Sequence, residues 1–378
     1  MLMLPLSPEI CRNIALVLST GESSRRDLNA LCLTCKPFQH EATPYLYEHL
    51  TFSDPVTCLL ACKTIMLEPR LGLHTRSFAF NPYPRVTDVN VIPRAFWEAI
   101  QSALHMMHNL DILVLSDFCF ANSWILDSEQ SESGNQITFQ LKNAHLRISC
   151  DAYLLRFLNT QNSLRSLQLY GGVDESEAST PPIIPPLPSL QSFEGPLLFG
   201  SRLLIGCSTT AQVRQVQLVV DCERTSAVPI LSGVAEALRG TLQNVNILDL
   251  HGEDTGIDVL ALFANSGASL KHIGTLPYPI TGRHRFHKHL ITLTPTLRSI
   301  DLDLTRWNPA PTPSAAQRVL ADELRTYCPS LRVIVFWIAG ARVRWTIHSN
   351  GTNVGGNGGL DQWTTRVDGD LGQGEAWS

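Results

Sequence analysis

The chain has 378 residues, 44% apolar and only 17% charged, with a formal net charge of −5. That balance excludes a nucleic-acid protein held by bulk electrostatics, because such domains are strongly basic. The longest clean apolar run, residues 333–341, is about half the length that a bilayer span needs, so no membrane span is expected.

The apolar start at Met1–Leu4 is followed by Pro5, Pro8 and Glu9, with no basic segment of the kind a secretory signal carries. The ten cysteines are scattered through the chain and read as reduced thiols, so the expected location is the cytoplasm and/or nucleus. Residues 8–18 read as a short helix, with Ser7 as cap, Pro8 in the first turn, and Ile10, Ile14 and Val17 at helical spacing. A second helix starts near Asp27 and places Leu28, Leu31, Cys32 and Cys35 on one face, with Pro37 interrupting it. Cys32 and Cys35 are expected as buried small hydrophobes rather than zinc ligands. A third helix carries Ala42, Leu46, Tyr47 and Leu50. Three helices in so short a stretch bury little surface and call for a partner or an attached body.

The blocks Leu6-Ser7-Pro8-Glu9-Ile10, Cys35-Lys36-Pro37-Phe38 and Leu46-Tyr47-Glu48-His49-Leu50 resemble an F-box. Ser7 stands where that family has its opening proline, and Thr34 where it has valine before the cysteine. The resemblance implies a docking module over residues 1–52 for the Skp-type adaptor of a cullin–RING ubiquitin ligase. It places the adaptor contacts on Leu6, Pro8, Ile10, Ile14, Leu28, Leu31, Cys35, Lys36 and Phe38.

A linker helix is expected over 53–72. From about residue 73 to 348 one form recurs: a helical segment, a turn, then Leu-x-x-apolar-x-apolar. Its first positions are Leu110, Leu141, Leu164, Leu190, Val213, Leu242, Leu270, Leu297 and Leu331. The mean step, about 28 residues, lies in the range of leucine-rich repeats. The Leu190 and Leu270 units break the form, reaching Gly195 and Thr275, and the asparagine that normally follows such strands is missing. The fold expected is an α/β repeat: a three-helix F-box followed by an irregular leucine-rich-repeat-like solenoid, as in F-box proteins of the fungal type. The rival is an α/β domain with one parallel sheet, although no Gly-rich phosphate loop follows any strand. Residues 127–135 and the proline-rich 181–188 read as loops, and 349–378 as a Gly-rich disordered tail.

No catalytic constellation, metal set or cofactor motif emerges. The basic run Arg283–His289 reads as a solvated helix start. Outward strand positions of a repeat array line its binding face, which makes Gln168, Tyr170, Gln217, Asp301, Asp303 and Trp337 the candidate contacts to a protein target. The expected function is that of a non-catalytic substrate-recognition subunit of a Skp–cullin–F-box ligase, with no nucleic-acid or membrane partner. The alternatives are an interaction scaffold without ubiquitin ligation, and an enzyme with a deep polar pocket on an α/β body.

Overall fold

The structure, a computed structural model, describes residues 6–21, 24–82, 92–127, 137–171, 186–207, 212–348 and 362–368. The chain forms two compact units, Met1–Leu190 and Gln191–Ser378.

In the first unit, α1 (Pro8–Ser19) begins where Ser7 accepts the Ile10 N–H and Pro8 occupies the first turn. After α2 (Ser24–Cys32), α3 (Lys36–Glu48) starts with Pro37 in its own first turn. Pro37 therefore opens a helix instead of interrupting one. Cys35, expected on a buried face, is exposed in the turn ahead of it. Ala15, Leu28 and Ala42 form the small core of the three helices, with Leu18, Leu31, Cys32, Tyr45 and Leu46 packed around it. Arg12 Nε donates to Glu41 Oε2 at 2.9 Å and ties α1 to α3. That guanidinium holds the Glu41 carboxyl below its ordinary value.

The third helix was expected to run through Leu50. Instead α3 stops at Glu48 and β1 (His49–Phe52) begins, with Leu50 and Phe52 buried. β1 pairs in parallel with β2 (Ser77–Phe80). Hence α4 (Pro55–Leu67) and the short α5 (Pro69–Gly72) connect two strands of one sheet and are not a linker ahead of it. Two alternating apolar residues are too few to be told from a helix end in sequence. The unit continues through α6 (Arg94–Leu104), β3 (Ile112–Ser116), a 3-10 turn (Ser123–Leu126), β4 (Asn143–Arg147), α7 (Ala152–Asn159) and β5 (Ser166–Leu169). Its five strands are parallel and lie in chain order. Phe52, Phe78, Phe80, Phe96 and Trp97 fill one end of the core with tilted and edge-on ring contacts.

The second unit runs β6 (Ser192–Pro196), α8 (Leu197–Cys207), β7 (Gln215–Val219), α9 (Arg224–Ala237), β8 (Asn244–Leu248), α10 (Glu253–Ser266), β9 (His272–Pro277), α11 (Arg283–Thr292), β10 (Ser299–Asp303), α12 (Ser314–Tyr327) and β11 (Val333–Ile338). β6 to β11 are parallel and again in chain order. Each of α8 to α12 packs on the next. Gly200 of α8 sits against Phe193 and Leu218, so this helix lies on the apolar face of the strands. β12 (Ala341–His348) and β13 (Gln362–Asp368) then close the sheet in antiparallel fashion. The expectation of a disordered tail therefore fails over 362–368. The rest of that tail lies outside the described residues, as do 181–185 of the proline-rich stretch and 128–135 of the polar loop.

All nine repeat positions, Leu110 through Leu331, are buried, and each stands two residues before the first residue of a strand, from β3 to β11. The Leu190 and Leu270 units, expected to break the form, still build strands β6 and β9, but β9 does break register with β10 after Ile273, so that Leu276 and not Thr275 stands opposite Leu302. The strand starts share one backbone device. The Arg76 carbonyl accepts from the N–H groups of both Asp111 and Ile112, and the Asp111 carbonyl from those of Lys142 and Asn143. Lys142, Gln191, Arg214, Gln243, Lys271 and Arg298 repeat it. Among the described residues, neither unit reverses its strand order, the reversal that opens a ligand crevice in doubly wound α/β sheets.

Candidate functional site

Two surfaces carry the residues singled out from sequence. The first is α1. Its inner side, Cys11 and Ala15, is buried, whereas Ile10 (46% exposed), Ile14 (37%) and Val17 (70%) stand outward at helical spacing. Together with Asn13 and Leu18 they line a shallow apolar groove. Leu6 and Pro8 are exposed at the start of the helix, and Cys35 and Lys36 are exposed at the start of α3. Phe38 is half-buried. Leu28 is not part of the exposed set: it completes the helical core, and Leu31 is half-buried against that core. The sequence reading omitted Leu33, which is 88% exposed in the turn between α2 and α3.

The second surface is the strand face turned away from the helices. In the first unit, Gln168 stands in register with His145, whose ring lies 5.0 Å from that of Tyr170. Gln168 and Tyr170 are thus brought together as expected, around a histidine that sequence did not single out. Arg147 stacks over Phe118 at 4.3 Å beside them. Asp127, placed in a polar loop by the sequence reading, is buried instead, and its Oδ2 accepts from Arg156 at 2.8 Å.

In the second unit this face carries a ladder of polar side chains across five strands. Gln217 Nε2 donates to Glu194 Oε1 at 2.6 Å, and Asn246 Nδ2 donates to Gln217 Oε1 at 3.3 Å. His272 Nε2 lies 3.0 Å from Asn246 Oδ1, and His272 Nδ1 lies 2.7 Å from Ser299 Oγ. The Glu194 carboxylate only accepts, and this fixes every donor along the row. Asn246 Oδ1 must accept, so the His272 proton sits on Nε2. Nδ1 then accepts from the Ser299 hydroxyl. Glu194, Asn246 and His272 are buried. Gly274 makes room for the row: a Cβ there would meet Asn246 Oδ1 and Asp301 Cβ at 2.7 Å.

Asp301, expected as an exposed contact, is 5% exposed, and Arg342 NH2 lies 3.5 Å from its Oδ2. Burial pushes the Asp301 carboxyl up to about 6 against the pull of Arg342. Burial first, and the Arg342 charge second, bring His272 down to about 4. Asp303 is half-buried and accepts from the Thr305 N–H and hydroxyl at 2.8 and 2.7 Å. Trp337 is half-buried, and its Nε1 is buried with no hydrogen-bond partner among the described residues. Sequence reasoning missed Glu194, Asn246, His272 and Arg342. Glu194 and His272 belong to the two units judged to break the repeat.

The run Arg283–His289 is not a solvated helix start throughout. His287 is buried, stacked 4.1 Å from Tyr327, with Nε2 3.0 Å from the Tyr278 hydroxyl. Arg283 NH1 donates to Glu323 Oε2 at 3.1 Å. These groups join α11 to α12 and β9. Among the described residues, no group of three or more His, Cys, Asp or Glu side chains could hold a metal ion. No described helix is long and apolar enough to cross a membrane. No protein-family model matches this chain, and no curated protein matches its sequence.

Proposed function

We propose that the chain is the substrate-recognition subunit of a Skp–cullin–F-box ubiquitin ligase. In this reading α1–α3 are the F-box and dock the Skp-type adaptor. The strand-and-helix units over 73–348 are leucine-rich-repeat-like, and the strand face turned away from the helices captures a protein target. The observation that carries the reading is the unpartnered stripe Leu6, Ile10, Ile14 and Val17 on a helix whose opposite side already fills the module core. A soluble helix with a second apolar stripe is built for a hetero-interface. Two features support the repeat reading: the chain-order parallel strands and the backbone device repeated at their starts. The subunit supplies proximity, holding a target lysine near a conjugating enzyme that partners bring. Affinity purification of the tagged full chain tests this. Recovery of a Skp-type adaptor and a cullin, lost in Ile10→Glu/Ile14→Glu, supports the reading. Recovery of neither from cells that contain both contradicts it.

A further inference from the structure

One edge of β13 pairs with β12, and among the described residues no strand pairs with the other. The Ile347 N–H donates to the Arg332 carbonyl, so Ile347 directs its backbone groups toward β11. Successive residues of an antiparallel strand direct theirs to opposite sides, so those of Arg344 and Thr346 face β13. Their register partners Arg366 and Thr364 face back toward β12, which leaves the N–H and C=O groups of Trp363, Thr365 and Val367 pointing outward. Natural edge strands are blunted by proline, lysine or a bulge. β13 holds no proline or lysine, and all seven of its residues keep one unbroken register with β12. The side chains of Trp363, Thr365 and Val367 share the face of Ile347, Trp345 and Val343, which are buried. Trp363 is fixed on that face: its Nε1 donates to Asp322 Oδ1 of α12 at 2.8 Å, and its ring meets Trp345 edge-on at 6.3 Å. Val367, toward the far end of the strand, is 64% exposed.

We propose that this edge pairs with the same edge of a second copy of the chain, antiparallel about a two-fold axis at Thr365. In that register the strand from Gln362 to Asp368 matches itself over its whole length. The outward backbone groups of Trp363, Thr365 and Val367 exchange hydrogen bonds with those of Val367, Thr365 and Trp363 in the second copy. Each Val367 then lies against an indole that Asp322 and Trp345 already hold, an aromatic and β-branched pair made twice with little further ordering. Arg366 stands opposite Thr364. Centring the pairing on Arg366 instead would set two guanidiniums directly opposite each other, which is unfavourable. Centring it on Thr364 would leave Val367 beyond the end of the facing strand. A strand from another protein would use the same backbone groups, and the match of Trp363 to Val367 is what favours a second copy. The inference does not depend on the ligase reading.

Sedimentation velocity of the purified full-length chain between about 1 and 100 µM tests it. A reversible monomer–dimer equilibrium is expected within that range. Thr365→Pro removes an N–H that points outward and spares the pairing with β12, a position where an edge strand accepts proline. It should weaken dimerisation at least about tenfold while its melting curve is unchanged. Val367→Glu, at an exposed position, carries the same expectation and serves if the proline variant does not fold. Hydrogen exchange at the Trp363, Thr365 and Val367 amides should slow as concentration rises, whereas the Thr364 and Arg366 amides are protected throughout. Ile10→Glu/Ile14→Glu should dimerise as the intact chain does. A chain that stays monomeric at about 100 µM overturns the proposal. So does undiminished dimerisation by folded Thr365→Pro and Val367→Glu, or growth past the dimer. A dimer lost in Ile10→Glu/Ile14→Glu also overturns it, because the contact then lies on α1.

Discussion

His272 Nε2 lies 3.0 Å from Asn246 Oδ1, and through this bond the direction set by the Glu194 carboxylate passes along the polar ladder to Ser299. Every donor from Ser299 onward points toward the Glu194 carboxylate. A row this buried holds its strands in place only while each member is satisfied.

Replacing Asn246 with Leu strands the His272 N–H and the Gln217 carbonyl. The expected loss is about 1–3 kcal/mol for each orphaned group, read by chemical denaturation. Nitrogen NMR of the unmodified chain should find His272 neutral at pH 7, with its proton on Nε2.

His272 and Asp301 make opposing contributions to pH dependence. The folded-state value of Asp301 is raised from 3.8 to about 6, so its stabilising contribution is complete below 3.8 and is lost as pH rises toward 6. The value of His272 is lowered from 6.5 to about 4, so its contribution is present above 6.5 and is lost as pH falls toward 4. The two nearly cancel in the intact chain. Asp301→Asn leaves His272 alone, and stability relative to the unmodified chain should drop by up to about 3 kcal/mol between pH 6.5 and 4. His272→Gln should show the reverse, a relative loss as pH rises from 3.8 to 6. Parallel pH profiles in all three proteins would contradict this account.

Gly274→Ala places a methyl group 2.7 Å from both Asn246 Oδ1 and Asp301 Cβ. Asp301 is held by Arg342 and Asn246 by its neighbours in the ladder, so neither yields easily. The expected cost is about 1–3 kcal/mol, seen as a lowered midpoint in urea, with Gly240→Ala at an open position as the neutral comparison.

Leu50 and Phe52 bury their side chains in the sheet and not in the helical module. A fragment ending at residue 52 exposes both and keeps only the small Ala15, Leu28 and Ala42 core. It should show weak helical circular dichroism without a cooperative melt, whereas the full chain melts cooperatively.

The strand starts were legible in sequence because nine apolar positions recur before strands at a spacing that one helix and its turns dictate. β1 was not legible, since four residues after a helix carry too short an alternation. The outward stripe of α1 could be read, but Leu28 could not be assigned: an apolar residue at helical spacing fits a core and an interface equally well. The polar ladder was hidden for a different reason. Its members are ordinary Gln, Asn, His and Ser residues, far apart in sequence. Strand register aligns Glu194, Gln217 and Asn246, and separately His272 and Ser299, while Asn246 faces Gly274 and reaches His272 along the diagonal. Asp301 looked exposed because alternation assigned it outward. Arg342, more than forty residues away, covers it after the chain turns back at β12.

The docking stripe is the feature on which the functional account depends. Calorimetric titration of purified Skp-type adaptor into the full-length chain tests it most directly. The account predicts a saturable one-to-one complex, with affinity reduced at least about a hundredfold in Ile10→Glu/Ile14→Glu while that variant's melting curve is unchanged. No heat of binding in the intact chain, or equal affinity in the folded variant, would contradict it.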